Sequence, residues 1–195
     1  MKKDIILAGV GGQGILSIAA TIGTAALDAG MHMKQAEVHG MSQRGGDVQS
    51  HLRISSEEIS SDLIPEGKAD LIIAVEPLES LRYLPMLSAD GWVITSMSHF
   101  KNIPDYPDEE VIAEKIKTLP QHVALDADKI AKDLGSLRSA NIVVLGAAAQ
   151  YLGLGIDALE QAIRKIFKAK GEEVVKVNLD AFRAGLKVAR ESNQL

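Results

Sequence analysis

The chain contains no cysteine. That absence removes disulfides, thiolate nucleophiles and the usual ligands of an iron–sulfur cluster. Aromatic residues are scarce at 4%, so the core must be built from layers of Ala, Val, Ile and Leu. A basic excess is missing too: 21 Lys and Arg against 26 Asp and Glu leave a formal charge of −5 and a pI near 5.5. A nucleic-acid surface, which draws its affinity from clustered cations, is therefore not expected. No apolar run approaches the roughly 20 residues needed to cross a bilayer, and Met1-Lys-Lys-Asp leads directly into a strand-like run rather than a signal-peptide core. A cytoplasmic protein is the expectation. Five histidines, His32, His39, His51, His99 and His122, lack metal-motif spacing, so no zinc site is predicted. There is neither an internal repeat nor a low-complexity tract.

What remains is an ordinary globular composition, 46% hydrophobic and 24% charged over 195 residues. That length buries a sizeable core, and one unit spanning 1–195 is predicted. Ile5-Ile6-Leu7-Ala8 reads as a fully buried strand, and residues 12–29 carry Ile15, Ala19, Ile22 and Ala26 at helical spacing. Residues 31–38 and 48–54 read as two further strands. Asp70-Leu-Ile-Ile-Ala-Val75 is a buried strand, after which Glu76-Pro77 opens a helix striped by Leu78, Leu81, Leu84 and Leu87. Gly91-Trp-Val-Ile-Thr95 and Val123-Ala-Leu125 add strands, with helices over 108–119 and 126–134, the latter capped by Asp126. Residues 96–107 read as a surface excursion. The last third is helical, with segments over 141–151, 157–167 and 178–189. Alternating β and α units predict an α/β fold, a three-layer sandwich around a mostly parallel sheet. Asn141 and Asn178 are read as helix caps, and Trp92 and Phe182 as core.

Between the first strand and helix lies Gly9-Val-Gly-Gly-Gln-Gly14, with Gly9, Gly11 and Gly14 at the spacing of a phosphate-binding fingerprint. Glycines there let the backbone approach a diphosphate while free amides and the helix dipole favour its charge. Glu37, near the end of the second strand, falls where a dinucleotide site holds a ribose. A nicotinamide or flavin dinucleotide is thus one reading, and close helix–sheet packing is the other. The segment that follows argues against the first: Gly40, Gly45 and Gly46 interrupt any crossover helix, and the chain continues extended. The fold is Rossmann-like without being a strict dinucleotide fold.

Arg44 followed by two glycines places a permanent planar cation on a turn, suited to a carboxylate or phosphate. Pairing with a glutamate of this or a neighbouring chain is the alternative. His39 beside Gly40 reads as a hydrogen-bonding loop residue before it reads as a proton-transfer group.

Four blocks in order, Gly9-Val-Gly-Gly-Gln-Gly14, Glu37-Val-His-Gly-Met-Ser-Gln-Arg-Gly-Gly46 with the following 48–53, Asn141-Ile-Val-Val-Leu-Gly146, and Asn178-Leu-Asp-Ala-Phe182 with Gly185, span nearly the whole chain. In them it resembles the gamma-type subunits of the 2-oxoacid ferredoxin oxidoreductases, most closely those of the indolepyruvate branch. The resemblance implies an accessory subunit of an enzyme that oxidatively decarboxylates indolepyruvate or another aryl pyruvate, passes the acyl group to coenzyme A and sends electrons to ferredoxin. It implies that thiamine diphosphate, magnesium and iron–sulfur clusters sit on a larger partner subunit, through which ferredoxin is reached. Here the chain lacks cysteine and any Gly-Asp-Gly segment with a downstream Asn; Gly46-Asp47-Val48 lacks the final glycine. The implied contact set is Gly9, Gly11, Gly12, Gln13, Gly14, Ser42, Gln43, Arg44, Gly45 and Gly46, directed at coenzyme A phosphate or the substrate carboxylate. No catalytic residue and no metal ligand is expected on this chain. A stand-alone NAD or FAD oxidoreductase and a non-catalytic nucleotide-binding or assembly module are the rival readings.

Overall fold

A computed structural model describes residues 1–39 and 45–192. Six strands form one sheet in the order β2-β3-β1-β4-β5-β6. They are β1 (Lys2–Val10), β2 (His32–His39), β3 (Asp47–Ser55), β4 (Ala69–Ala74), β5 (Leu87–Ser96) and β6 (His122–Leu125). The helices are α1 (Ile15–Asp28), α2 (Pro77–Arg82), α3 (Glu109–Lys117), α4 (Ala127–Asp133), α5 (Ala140–Ala148), α6 (Ile156–Phe167) and α7 (Glu172–Ser192). β1, β4, β5 and β6 pair in parallel, whereas β3 runs antiparallel to both β1 and β2. The expected α/β sandwich around a mostly parallel sheet is what the chain forms.

Strands buried on both faces carry unbroken apolar runs because alternate side chains enter different layers. Ile5 and Leu7 point with Leu71, Ile73 and Ile94 into the larger core under α1 and α5. Ile6 and Ala8 point with Ile72, Ala74 and Val93 into a smaller one on the other face, closed by Ile64 and the half-buried Tyr83 and Leu119. On the larger side the helices lie two deep. Every residue of α5 from Asn141 to Ala148 is buried, since it rests on β4 and β5 below and is crossed by α7 above. Such a helix has to be apolar all round.

Several boundaries differ from the sequence reading for identifiable reasons. The helix after Glu76 stops at Arg82, and a 3-10 turn over Leu84–Met86 delivers Leu87 into β5. Pro85 removes the amide that would continue the helix. α7 starts at Glu172 rather than near 178, because Gly171, with φ +101, ends the preceding turn and Glu172-Glu173 suit the positive end of a helix. Asn178 therefore lies inside α7, donating from Nδ2 to the Val174 carbonyl at 2.8 Å, and is not a cap. Phe182 is fully buried; Trp92 is half-buried, its ring 4.4 Å from that of Tyr151.

Candidate functional site

The carboxyl ends of β1, β4 and β5 open onto a crevice where the chain order reverses: from β1 the connection runs toward β2, and from β4 it runs the other way, to β5 and β6. In open α/β sheets that switch point is where ligands bind. The turn Gly11–Gly14 sits at its lip. Gly12 and Gly14 have φ of +100 and +80, a left-handed backbone that disfavours any residue with a Cβ. Gly14 lies directly against Asn141, whose Nδ2 donates to the Gly14 carbonyl at 2.9 Å. Asn141, expected as a cap, is thus a strut between α5 and the glycine turn, 8% exposed. Gly9 is set back inside β1, where a Cβ would overlap Val75 and Ile15.

Three amides of the turn are already spent. Val10 N–H donates to Gln13 Oε1 at 2.7 Å, Gln13 N–H donates to the Val10 carbonyl at 3.1 Å, and Gly11 N–H donates to the Gly46 carbonyl at 2.8 Å. The last bond joins both glycine-rich segments singled out in the sequence. Helix α1 begins immediately after Gly14 with no side-chain cap, so its first amides and its dipole face outward.

A cleft of about 680 Å³ lies in front of this helix end, lined by Gly12, Gln13, Gly14, Arg138, Lys170 and Asn178 among others. A second, of about 240 Å³, shares Gly12, Gln13, Arg138 and Asn141 and runs to the strand ends at Val75 and Ser96. The first has the volume of a small-molecule site. Its lining suits an anion on balance: glycine backbone, a free helix start, a guanidinium, an ammonium and the hydroxyls of Ser136 and Ser139, against the single carboxylate of Glu173. Arg138 and Lys170 were not among the sequence candidates. The signal available was local: Gly135-Ser-Leu-Arg-Ser139 places glycine, hydroxyls and Arg just before a helix, and Lys168-Ala-Lys-Gly171 is a short basic turn.

Ser42, Gln43 and Arg44 lie outside the described residues, as does Met41. Gly45 and Gly46 come to the glycine turn through the bond to Gly11. Glu37 and Val38 stand in β2, the second strand expected from the sequence, and both are exposed. Because β3 is inserted between β1 and β2, Glu37 is two strand spacings from β1, roughly 9.5 Å against the 4.8 Å of adjacent strands. That offset disfavours the ribose contact of a dinucleotide site.

Two tyrosines outside the lining of both clefts are fixed donors, Tyr106 to Glu76 and Tyr83 to Asp47. Burial, the Glu76 carboxylate and the bond to it raise the Tyr106 phenol far above its ordinary value; burial and Asp47 do the same for Tyr83. Nearby, burial raises the Glu79 carboxyl against the opposing effect of Arg82, its partner at 2.8 Å. Among the described residues no cluster of three metal-ligating side chains occurs, and no helix is long and apolar enough to cross a membrane.

Fold and crevice together define an α/β protein with a glycine turn at the switch point of its sheet. The chain belongs to the pyruvate ferredoxin/flavodoxin oxidoreductase family, whose model matches residues 4–188. It is 40% identical to indolepyruvate oxidoreductase subunit IorB of Archaeoglobus fulgidus, over 95% of this chain and 94% of that one. It is 36% identical to the subunit of the same name from Methanothermobacter thermautotrophicus, over 98% and 100%. Among solved structures, the gamma subunit of a keto/oxoacid ferredoxin oxidoreductase from Geobacter sulfurreducens superposes with a TM-score of 0.71 at 26% identity, covering 97% of this chain and 99% of that one. The 2-oxoglutarate:ferredoxin oxidoreductase of Magnetococcus marinus, solved with 2-oxoglutarate, coenzyme A and succinyl-CoA bound, shares the fold. Its TM-score is 0.77 at 23% identity, and the match covers 97% of this chain but 31% of that longer one.

Proposed function

We propose that residues 1–195 form one gamma-type domain, the accessory subunit of a ferredoxin-dependent oxidoreductase that oxidatively decarboxylates indolepyruvate or another aryl pyruvate to its acyl-coenzyme A. The observation that carries this reading is the cleft in which the uncapped start of α1 meets Arg138 and Lys170, in a chain related along its whole length to indolepyruvate oxidoreductase subunits. Thiamine diphosphate with magnesium, and the iron–sulfur clusters, belong in this reading to a larger partner and supply the carbon–carbon cleavage and electron transfer. The present chain supplies binding and orientation. Gly12 and Gly14 offer backbone to a phosphate of coenzyme A, Gln13 braces the turn between them through its two bonds to Val10, Arg138 and Lys170 neutralise the phosphate, and Asn141 keeps the turn in its left-handed shape. Arg44, with Ser42 and Gln43 beside it, is assigned to the same anion or to the substrate carboxylate. Electrons leave to ferredoxin through the partner, in the cytoplasm.

Co-expression with the larger subunit, followed by indolepyruvate-dependent and coenzyme A-dependent reduction of a viologen dye, tests the division of labour. The chain alone is expected to be inactive and the complex active. Turnover by the isolated chain refutes the proposal. Arg44→Ala is expected to leave the complex assembled while raising the coenzyme A or oxoacid KM; loss of assembly instead makes Arg44 an interface residue. Titration of NADH against the isolated chain separates the dinucleotide reading, which requires saturable binding lost in Glu37→Ala.

A further inference from the structure

Three consecutive residues at the start of β3 are each held by a different part of the chain. The Gly45 carbonyl accepts from Asn102 Nδ2 at 2.8 Å, the Gly46 carbonyl from Gly11 N–H at 2.8 Å, and Asp47 Oδ2 from the Tyr83 hydroxyl at 3.3 Å. Gly45 and Gly46 have no side chains to pack, and a Cβ on Gly45 would meet open space. Their position is therefore set through their carbonyls. Asn102 comes from residues 97–108, which contain no helix or strand, so something must in turn fix that segment.

That something is Glu76, 1% exposed. One carboxylate oxygen accepts from the Glu79 amide at 2.9 Å and caps α2. The other accepts from the Phe100 amide at 3.3 Å and from the Tyr106 hydroxyl. Since Tyr106 gives its proton to Glu76, its oxygen is left to accept from His99 Nδ1, 3.1 Å away. A buried carboxylate thus gathers residues 99–106 into a strap, and the strap lowers one amide onto Gly45.

We propose that Asn102 is a positioning residue for the glycine turn: held by the Glu76–Tyr106 clasp, it fixes Gly45–Asp47 over the turn and, through Gly46, keeps the Gly11 amide engaged. Gly12–Gly14 are then presented to the ligand in a fixed shape. The kinetic consequence rests on the coenzyme A reading above; the structural consequence does not.

Hydrogen exchange on the full chain and kinetics on the assembled complex test it together. In Asn102→Ala, Gly11 amide exchange is expected to quicken roughly fivefold, the loss of one hydrogen bond, while core amides such as Ile6 and Ile73 keep their rates. In the complex the KM for coenzyme A rises and kcat at saturation holds. Asn102→Gln, which keeps the carboxamide, restores most of both. Tyr106→Phe, which loosens the strap from its other end, moves Gly11 in the same direction. Unchanged Gly11 exchange in Asn102→Ala, or acceleration shared equally by the core amides, overturns the proposal. Faster Gly11 exchange with an unmoved KM upholds the positioning role and counts against the coenzyme A reading instead.

Discussion

Helices α5 and α7 cross at a point where each has a glycine against the other's backbone, and alanine there reverses the usual sign of a Gly→Ala change. A Cβ on Gly146 would overlap the Phe182 carbonyl, and one on Gly185 would overlap the Val143 carbonyl. In an exposed helix interior, Gly→Ala stabilises by about 1 kcal/mol. Here the atom meets backbone, which has no rotamer to yield, so the helices must part. Separation by roughly 1 Å forfeits a quarter to a half of the dispersion energy of each touching atom pair. α5 is buried from Asn141 to Ala148, so many pairs are affected. Overpacking of this kind costs about 1–3 kcal/mol or more. Taking the upper end and subtracting the helical gain leaves about 2 kcal/mol of net destabilisation for either variant, or about 4–8 °C in Tm for a chain of this size. Because both substitutions pry open the same crossing, the second should add little once the first has been made, and the double variant should fall well short of the sum. Calorimetry on Gly146→Ala, Gly185→Ala and the pair decides it. A Tm that stays level or rises in the single variants refutes the close approach; strict additivity refutes the shared crossing.

Asp4 is 2% exposed and pairs with Arg53 through two bonds of 2.7 and 3.0 Å, and Arg53 also donates to the Ser61 and Leu63 carbonyls. Asp4→Ala leaves that guanidinium, 11% exposed, without its buried counterion and should cost about 3 kcal/mol, seen as a lower urea midpoint at unchanged m-value. His51 Nδ1 accepts from the Ile64 amide at 3.0 Å, and burial, then Arg53, lowers its pKa. The neutral form is favoured in the fold, so the unfolded chain binds the proton first as pH falls. Its contribution is full above about pH 6.5 and is lost as pH drops from there through the lower folded value. His51→Asn, whose carbonyl oxygen can replace Nδ1, should flatten urea stability between pH 5 and 7; an unchanged slope assigns the pH dependence elsewhere. In the assembled complex Arg138→Ala should weaken apparent coenzyme A affinity by about tenfold or more without affecting assembly, the range for losing a charge-assisted bond. An unchanged KM removes Arg138 from the site.

Elements whose apolar pattern is local were legible in the sequence, and those set by tertiary contact were not. Ile5-Ile6-Leu7-Ala8 and Leu71-Ile-Ile-Ala74 declare themselves as buried strands because both their faces are covered. Asp126 was readable as a cap, and its carboxylate does accept from the Lys129 amide at 3.0 Å. The antiparallel insertion of β3 between β1 and β2 has no such mark: alternation in residues 48–54 fixes which side chains face the core, not which strand they pair with. Asn141 and Asn178 illustrate the same limit. A carboxamide near an expected helix start reads as a cap, yet one holds the Gly14 carbonyl, 127 positions away in sequence, and the other bonds back to Val174 within α7.

The site divides along the same line. Gly12, Gln13 and Gly14 were found because a phosphate-type turn needs small residues at fixed offsets after a strand, and that spacing is written locally. Arg138 and Lys170 reach the same cleft from the 3-10 turns before α5 and after α6, a convergence that tertiary packing creates and local spacing does not show. The motif therefore points to an anion without pointing to the cations that face it. What separates this turn from a dinucleotide site is how its amides are used. Gly11 is committed to Gly46, Val10 to Gln13, and the acidic residue of the second strand is displaced by the width of β3. A pyrophosphate lying along the turn would compete with bonds the protein already makes to itself. A phosphate approaching from the cleft side, past Gly12 to the open start of α1, breaks none of them. The geometry thus favours a ligand that touches the turn at one end and extends outward between Arg138 and Lys170, as a long phosphorylated thiol does and a dinucleotide spanning two strands does not.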